Sequence, residues 1–464
     1  MISRRTFLHG ATHIAALGAV AGFAPPVARQ RGGPQPDPRL IVRSRTPQDL
    51  ETPVSLLTDW ITPNESFFVR SHLPTPTVDR ATWTLTVSGA VERPMTLRFE
   101  ELQALPRVTM VATLECAGNG RAFFDPPVAG VQWQRGAVGN ARWTGVRLLD
   151  VLQRAGARPT AQFVLLDGAD RPVGAVPDFA RTLPIAKATH RDTLLAFEMN
   201  GVPLPISHGH PLRAIVPSWE GAYWVKWLTG VTVLDVQHDG FFVQTAYRYP
   251  RQPVAPGSAV PANEMEPLTG MAVKSLIVSP EDGATLPSGR LRVSGFAWTG
   301  EGEVARVDVS MDGGKSWQRA SLGRDREPHA WRAFEYEWRG TPSRTYTVVS
   351  RATDSRGRTQ GDVPAWNPSG YLWNAPDRVT VTVGGAAAPL KTATRDLALP
   401  GDEDTALVRE KCLVCHDADL IAQQRLNEAG WSRELDKMAR WGASATDDER
   451  RRLLGYLVRH FPLR

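Results

Sequence analysis

Only three cysteines stand in 464 residues, Cys116, Cys412 and Cys415. A chain this long with so few thiols cannot rest on a disulfide framework. It has to be built from several hydrophobic cores. Two of the three fall in Cys412-Leu413-Val414-Cys415-His416, a spacing that further narrows what the C-terminal segment can be. Cys-x-x-Cys-His is the haem c attachment pattern: two thiols add to the haem vinyl groups and the next histidine ligates iron. A zinc site would need a second Cys/His pair, and a disulfide leaves His416 unexplained. Met438 is the only methionine after Cys412 and the expected second iron ligand, with His460 as its rival.

The last 64 residues read as a small all-α domain, 401–464. Thr446-Asp-Asp-Glu449 is a capping box, and Leu453, Leu454, Leu457, Val458 and Phe461 share one helical face. Residues 385–400, rich in Ala, Thr and Gly, read as a linker. Residues 267–384 alternate with period two (Val307/Val309/Met311, Val379/Val381/Val383), and Asp312-Gly313-Gly314 marks a hairpin. An immunoglobulin-like β-sandwich is expected there, serving as a structural or subunit-contact module. Residues 40–266 mix strand-like runs with short helical patterns such as Arg147–Arg154 and read as α+β.

The N-terminus carries Arg4-Arg5 before a short apolar stretch, Ala11 to Ala24. This looks like a twin-arginine export signal over 1–28, with an extended linker over 29–39 and a periplasmic destination. The apolar stretch falls short of a membrane span, and no later segment reaches one. A net charge of +6 without a Lys/Arg run argues against nucleic-acid binding.

A haem tail carries single electrons and needs a donor. Thr113-Leu-Glu-Cys-Ala-Gly-Asn-Gly-Arg121 places Cys116 at a strand-to-turn edge, with Arg121 as a nearby cation expected to favour the thiolate. Around it, Arg70, His72, Arg142, His208, Arg213 and Lys226 interrupt apolar runs. Internal salt bridges would explain any one of them; together they suit an anionic, phosphate-bearing cofactor.

Over residues 40–383 the chain resembles the sulfite oxidase family of molybdopterin enzymes, of bacterial sulfite dehydrogenase type, with a cytochrome c domain fused behind it. The matching segments are Phe68-Val-Arg-Ser-His-Leu-Pro74, Leu114–Arg121, Trp133 with Gly136-Ala137, Ala141-Arg-Trp143, Glu198–Pro205, His208–Arg213, Val225–Leu228 and Trp366-Asn-Pro368. The resemblance implies a molybdenum–molybdopterin cofactor ligated by Cys116. It implies that Arg70, His72, Asp170, His208, Arg213 and Lys226 hold the pterin and its phosphate. It makes Arg70, Arg121, Trp133 and Tyr247 the lining of an anion site, and residues 267–384 a homodimerisation module. The implied reaction is oxidation of sulfite, with electrons passing through the haem to a soluble cytochrome c. Alternatives are a sulfane-sulfur dehydrogenase of the same family, or a haem electron carrier whose large domain is only a scaffold. Gly120, Ser369 and Ala129 stand where animal members carry two arginines and a lysine, and Ala246 where they carry an aspartate. The site is therefore less cationic than theirs.

Overall fold

A computed structural model describes residues 35–384 and 398–463. The expected export signal falls outside the described residues, as does nearly all of the 385–400 linker.

Two five-stranded sheets form the first domain. In one, Val202–Pro203, Leu194–Met199, Val138–Arg147 and Arg107–Glu115 lie side by side, with Arg213–Ile215 also pairing on Leu194–Met199. In the other the order is Met95–Arg98, Thr84–Gly89, Leu228–Leu234, Phe163–Gly168 and Ala180–Pro184. Leu228–Leu234 runs parallel to Thr84–Gly89 and antiparallel to Phe163–Gly168, so the sheet is mixed. The helix Leu148–Ala155 starts where the strand Val138–Arg147 stops. It buries Leu148, Val151, Leu152 and Ala155 at helical spacing and ends on Gly156 at φ +68°. Trp133, Trp143 and Trp224 are among the large side chains filling this core.

The second domain is a two-sheet sandwich, as the period-two pattern predicts. One sheet holds Lys274–Ser279, Gly289–Trp298, Arg332–Gly340 and Ser321–Leu322. The other holds Thr285–Leu286, Asp377–Val383, Arg344–Asp354, Val304–Ser310 and Gln318–Arg319. Val293, Val307, Val309, Val379, Val381 and Val383 meet between them. A separate apolar cluster, including Leu57, Val138, Trp298 and Trp331, joins this sandwich to the first domain, with Trp331 stacked on Phe296 at 4.1 Å.

The tail contains the helices Thr405–Cys412, Asp419–Ala422, Glu428–Arg440 and Asp447–His460. The Thr446/Glu449 capping box forms as expected. Leu453, Leu457 and Phe461 pack with Trp431 and Tyr456 into a small core of their own. Among the described residues no helix is long and apolar enough to cross a membrane.

Candidate active site

Cys116 follows the last residue of the strand Arg107–Glu115, and its N–H donates to the Ala137 carbonyl at 2.9 Å. The chain then turns sharply: Asn119 N donates to the Cys116 carbonyl at 2.8 Å, and Gly120 sits at φ +96°. A Cβ at Gly120 would lie 2.5 Å from Trp373, so neither backbone nor space admits a larger residue. This is the physical reason for the glycine noted in the sequence.

The turn is held from the other domain. The Glu115 carboxylate accepts from Lys274 Nζ at 2.6 Å, from Trp298 Nε1 at 2.7 Å and from Asn119 Nδ2 at 2.9 Å. Lys274 Nζ also donates to the Asn119 carbonyl at 3.1 Å. The sandwich thus buttresses the cysteine turn, a link with no local sequence signal.

One expectation is corrected here. Burial pushes the Cys116 thiol up to about 11, and the nearby Arg70 and Arg121 charges only partly oppose it. Desolvation outweighs the cations, so without a metal this cysteine is a thiol at neutral pH. A second correction concerns Arg142. It lies exposed, because strand alternation turns it outward from the sheet.

The other cations line the space beside Cys116. Arg70, His72, Asp170, His208, Arg213, Lys226 and Tyr247 all border one cleft with it. Arg70 is paired with Asp49 at 3.1 Å, so the salt-bridge reading holds for that residue. Arg213 and Lys226 have no carboxylate within ion-pair range among the described residues. Arg213 is 5% exposed, donates to the His208 carbonyl at 3.2 Å, and leaves its buried Nε unpartnered. Lys226 Nζ reaches only Ser71 Oγ at 2.8 Å and the Ser207 carbonyl at 3.0 Å. Burial pushes Lys226 down, with Arg213 adding repulsion, while burial pushes Asp170 up. His208 donates through Nε2 to the Asn64 carbonyl at 3.1 Å; burial, reinforced by Arg213 and Lys226, lowers its pKa to about 3. Buried cations short of acceptors fit a bound phosphate and an acceptor-rich pterin.

Arg121 and Trp133 join Cys116, Arg70, His72 and Tyr247 around a second, adjoining cavity. The Arg121 guanidinium donates to the Val131 carbonyl at 3.1 Å and to the Ser369 carbonyl at 3.3 Å, and its buried Nε has no partner. A Cβ at Gly118, Gly130 or Gly370 would approach it to 2.8–2.9 Å. Three glycines therefore cradle this one cation. Trp133 is fully buried with its Nε1 unpartnered. Tyr247 adopts φ +55°, hydrogen-bonds His72, and stacks on Tyr371 with ring centroids 5.4 Å apart. Tyr371 was missed in the sequence; its only signal was its place just after Trp366-Asn-Pro-Ser-Gly370.

That second cavity, of 480 Å³, runs from this cluster into the tail. Cys116, Arg121, Trp133 and Tyr247 border it, and so do Cys412, Cys415, His416 and Met438. His416 Nδ1 donates to the Asp417 carbonyl at 3.0 Å, leaving the Nε2 lone pair for a metal. Leu435, Leu453 and Leu457 supply an apolar wall. These residues fit a covalently attached haem. His460, the rival ligand, is instead bonded to Asp402 at 2.7 Å and does not border the cavity.

Comparison with known proteins agrees with this geometry. The oxidoreductase molybdopterin binding domain matches residues 72–242, and the Mo-co oxidoreductase dimerisation domain matches residues 266–384. Mitochondrial sulfite oxidase of Rattus norvegicus is 37% identical over 75% of this chain and 67% of its own length. Sulfite oxidase of Arabidopsis thaliana is 34% identical over 76% of this chain and 96% of its own. The sulfane dehydrogenase SoxCD of Paracoccus pantotrophus superposes with a TM-score of 0.63 at 30% identity, over 75% of this chain and 88% of that one. Both matched family domains end before the tail helices, which begin at Thr405. From the Cys116 turn to the sandwich that braces it, this chain belongs to the sulfite oxidase family of molybdopterin oxidoreductases.

Proposed function

We propose that the chain is a periplasmic sulfite dehydrogenase. It oxidises sulfite with water to sulfate, releasing two protons and two electrons. Cys412 and Cys415 would hold a haem c, which would supply one-electron transfer to an external cytochrome c. The observation that carries this reading is the single cavity bordered by both Cys116 and the His416/Met438 pair.

The molybdenum–pterin group, when bound, supplies oxygen-atom transfer to sulfur and the two-electron oxidation. Cys116 ligates the metal. Arg213 and Lys226 would face the pterin phosphate as the cations, with neutral His208, Asp170 and His72 beside them. Arg70 and Arg121 hold the anion by charge-assisted hydrogen bonds, and Arg121 brings a free Nε to that task. Tyr247 orients its hydroxyl through His72, and Trp133 walls the site against water. His416 and Met438 are assigned as the two haem iron ligands.

The second reading is a sulfane-sulfur dehydrogenase. It draws support from the SoxCD likeness and from Gly120 and Ser369, which leave Arg121 with no second arginine beside it. The scaffold reading is disfavoured by buried cations that lack acceptors. Homodimerisation through the sandwich and twin-arginine export are part of the same proposal. Metal analysis and steady-state assays with sulfite and cytochrome c test it. About one molybdenum and one haem per chain with sulfite-dependent cytochrome reduction is expected; full cofactor content without that activity rules out sulfite.

A further inference from the structure

The tail lines the cavity that Cys116 and Arg121 also border, and it is fastened to the first domain at two places. On one side, Gln423 Oε1 accepts from Gln132 N at 2.8 Å and Gln424 Oε1 accepts from Gly130 N at 3.2 Å. Gln423 Nε2 donates to the Arg43 carbonyl at 2.8 Å, Asp417 N donates to the Thr46 carbonyl at 3.1 Å, and Arg45 pairs with Asp419 at 2.7 Å. On the other side, Trp441 meets the Phe241 ring edge-on at 5.5 Å, and a Cβ at Gly442 would sit 3.4 Å from Ala175. Ala129, beside the latched amides, packs against the tail core.

The segment that donates to Gln423 and Gln424 is the one that cradles Arg121: Gly130 and the Val131 carbonyl touch its guanidinium. A tail latched there covers the approach to the anion site itself. The cavity beneath is 480 Å³. That cavity is also bordered by Cys412, Cys415, His416 and Met438, so an attached haem would fill much of it and leave a solute only the part beside Cys116 and Arg121. A folded carrier protein needs about 800 Å² of contact surface around the site, and the 130–132 segment beside Arg121 is already bonded to the tail. Bound haem would take space from the cavity and add none.

We propose that the latched tail is a size-selective cap, which makes the substrate a small free sulfur oxoanion and excludes sulfur borne on a carrier protein. This rests on the sulfur-oxidising reading above. While the latch is closed, Arg121 is reached only by a solute that fits within the cavity. The two glutamines read backbone amides, and the Arg45–Asp419 pair, exposed on its arginine side, adds the salt-sensitive part of the latch.

The test uses the full cofactor-loaded chain and its Gln423→Ala/Gln424→Ala variant. Hydrogen exchange at the Gly130 and Gln132 amides reports the latch directly. The variant loses three hydrogen bonds between tail and domain, each worth about fivefold in opening, so exchange there should rise roughly 100-fold. Unchanged exchange in Leu194–Met199 would show that the fold is intact. The activity arm compares sulfite, free cysteine persulfide, and a small folded protein carrying one surface persulfide. The native chain should turn over sulfite and reject the protein-borne persulfide, and the variant should gain on the latter at least tenfold relative to sulfite. The proposal is overturned if the native chain oxidises the protein-borne persulfide as efficiently as sulfite. Equal exchange of the two amides in native and variant chains also overturns it. If no sulfur compound is oxidised, the functional reading fails, and amide exchange alone decides whether the tail covers the mouth.

Discussion

Tyr371 lies flat against Tyr247, ring centroids 5.4 Å apart and planes 8° from parallel, while the Arg121 guanidinium sits over the Tyr371 ring, 5.2 Å from its centroid. The sandwich domain thus brings one aromatic ring against two residues of the catalytic domain that border the same cavity. Tyr247 holds φ +55°, a conformation that costs a non-glycine residue about 1–3 kcal/mol. Replacing Tyr371 by Ala removes the stack and should lower kcat/KM for sulfite by roughly tenfold to a hundredfold, equivalent to about 1.4–2.8 kcal/mol. Tyr371→Phe keeps the ring and should stay within a few-fold of the parent. Steady-state kinetics of the two variants separates stacking from the hydroxyl.

Gly120 is expected to be intolerant. Gly120→Ala forces a Cβ into Trp373 from a left-handed backbone. A destabilisation of about 2 kcal/mol or more is expected, read as a lower thermal midpoint. Gly120→Arg, which would restore the doubly cationic pattern, should be worse, with molybdenum content falling alongside.

Lys274→Met leaves the Glu115 carboxylate buried without its cation. The cost should be about 3–5 kcal/mol, because an uncompensated buried charge is left behind. Molybdenum content per chain should fall, since the Cys116 turn loses its brace. Glu115→Gln in the same chain should recover part of the stability. Chemical denaturation with metal analysis checks both statements.

The buried histidines weaken the cofactor-free chain in acid, opposed by buried carboxylates such as Asp170 whose pKa is raised. His208 is held down to about 3 by burial and by the Arg213 and Lys226 charges, and His72 is also held well below its usual value by burial. Below about pH 6.5 the unfolded chain takes up protons that the folded chain refuses. Their contribution to stability is therefore fully present above that pH and falls as pH drops toward 3, with a slope near 1.4 kcal/mol per pH unit per histidine. His208→Gln should reduce that slope by one proton, measured by denaturant unfolding across pH 4–7.

Much of this architecture could be read from local pattern. The Cys116 strand edge, the sandwich alternation, the Thr446 capping box and the haem motif each depend on neighbours within a few residues. What stayed hidden depends on distance in the chain. The Glu115–Lys274 pair spans 159 residues and Gln132–Gln423 spans 291. Arg142 misled because a cation in an apolar strand can face either way, and only the sheet register turns it outward. The Cys116 thiol misled because adjacency to arginine is visible in sequence whereas desolvation is not.

The proposed function requires the shared cavity to connect the Cys116 site to a haem held by Cys412 and Cys415 within one chain. Anaerobic mixing of the oxidised protein with sulfite, without any other acceptor, tests it through the ultraviolet–visible spectrum. The account predicts full reduction of the haem bands, with a first-order rate constant independent of protein concentration. Haem that stays oxidised in a chain with stoichiometric molybdenum, or that is reduced only by collision between chains, would contradict it.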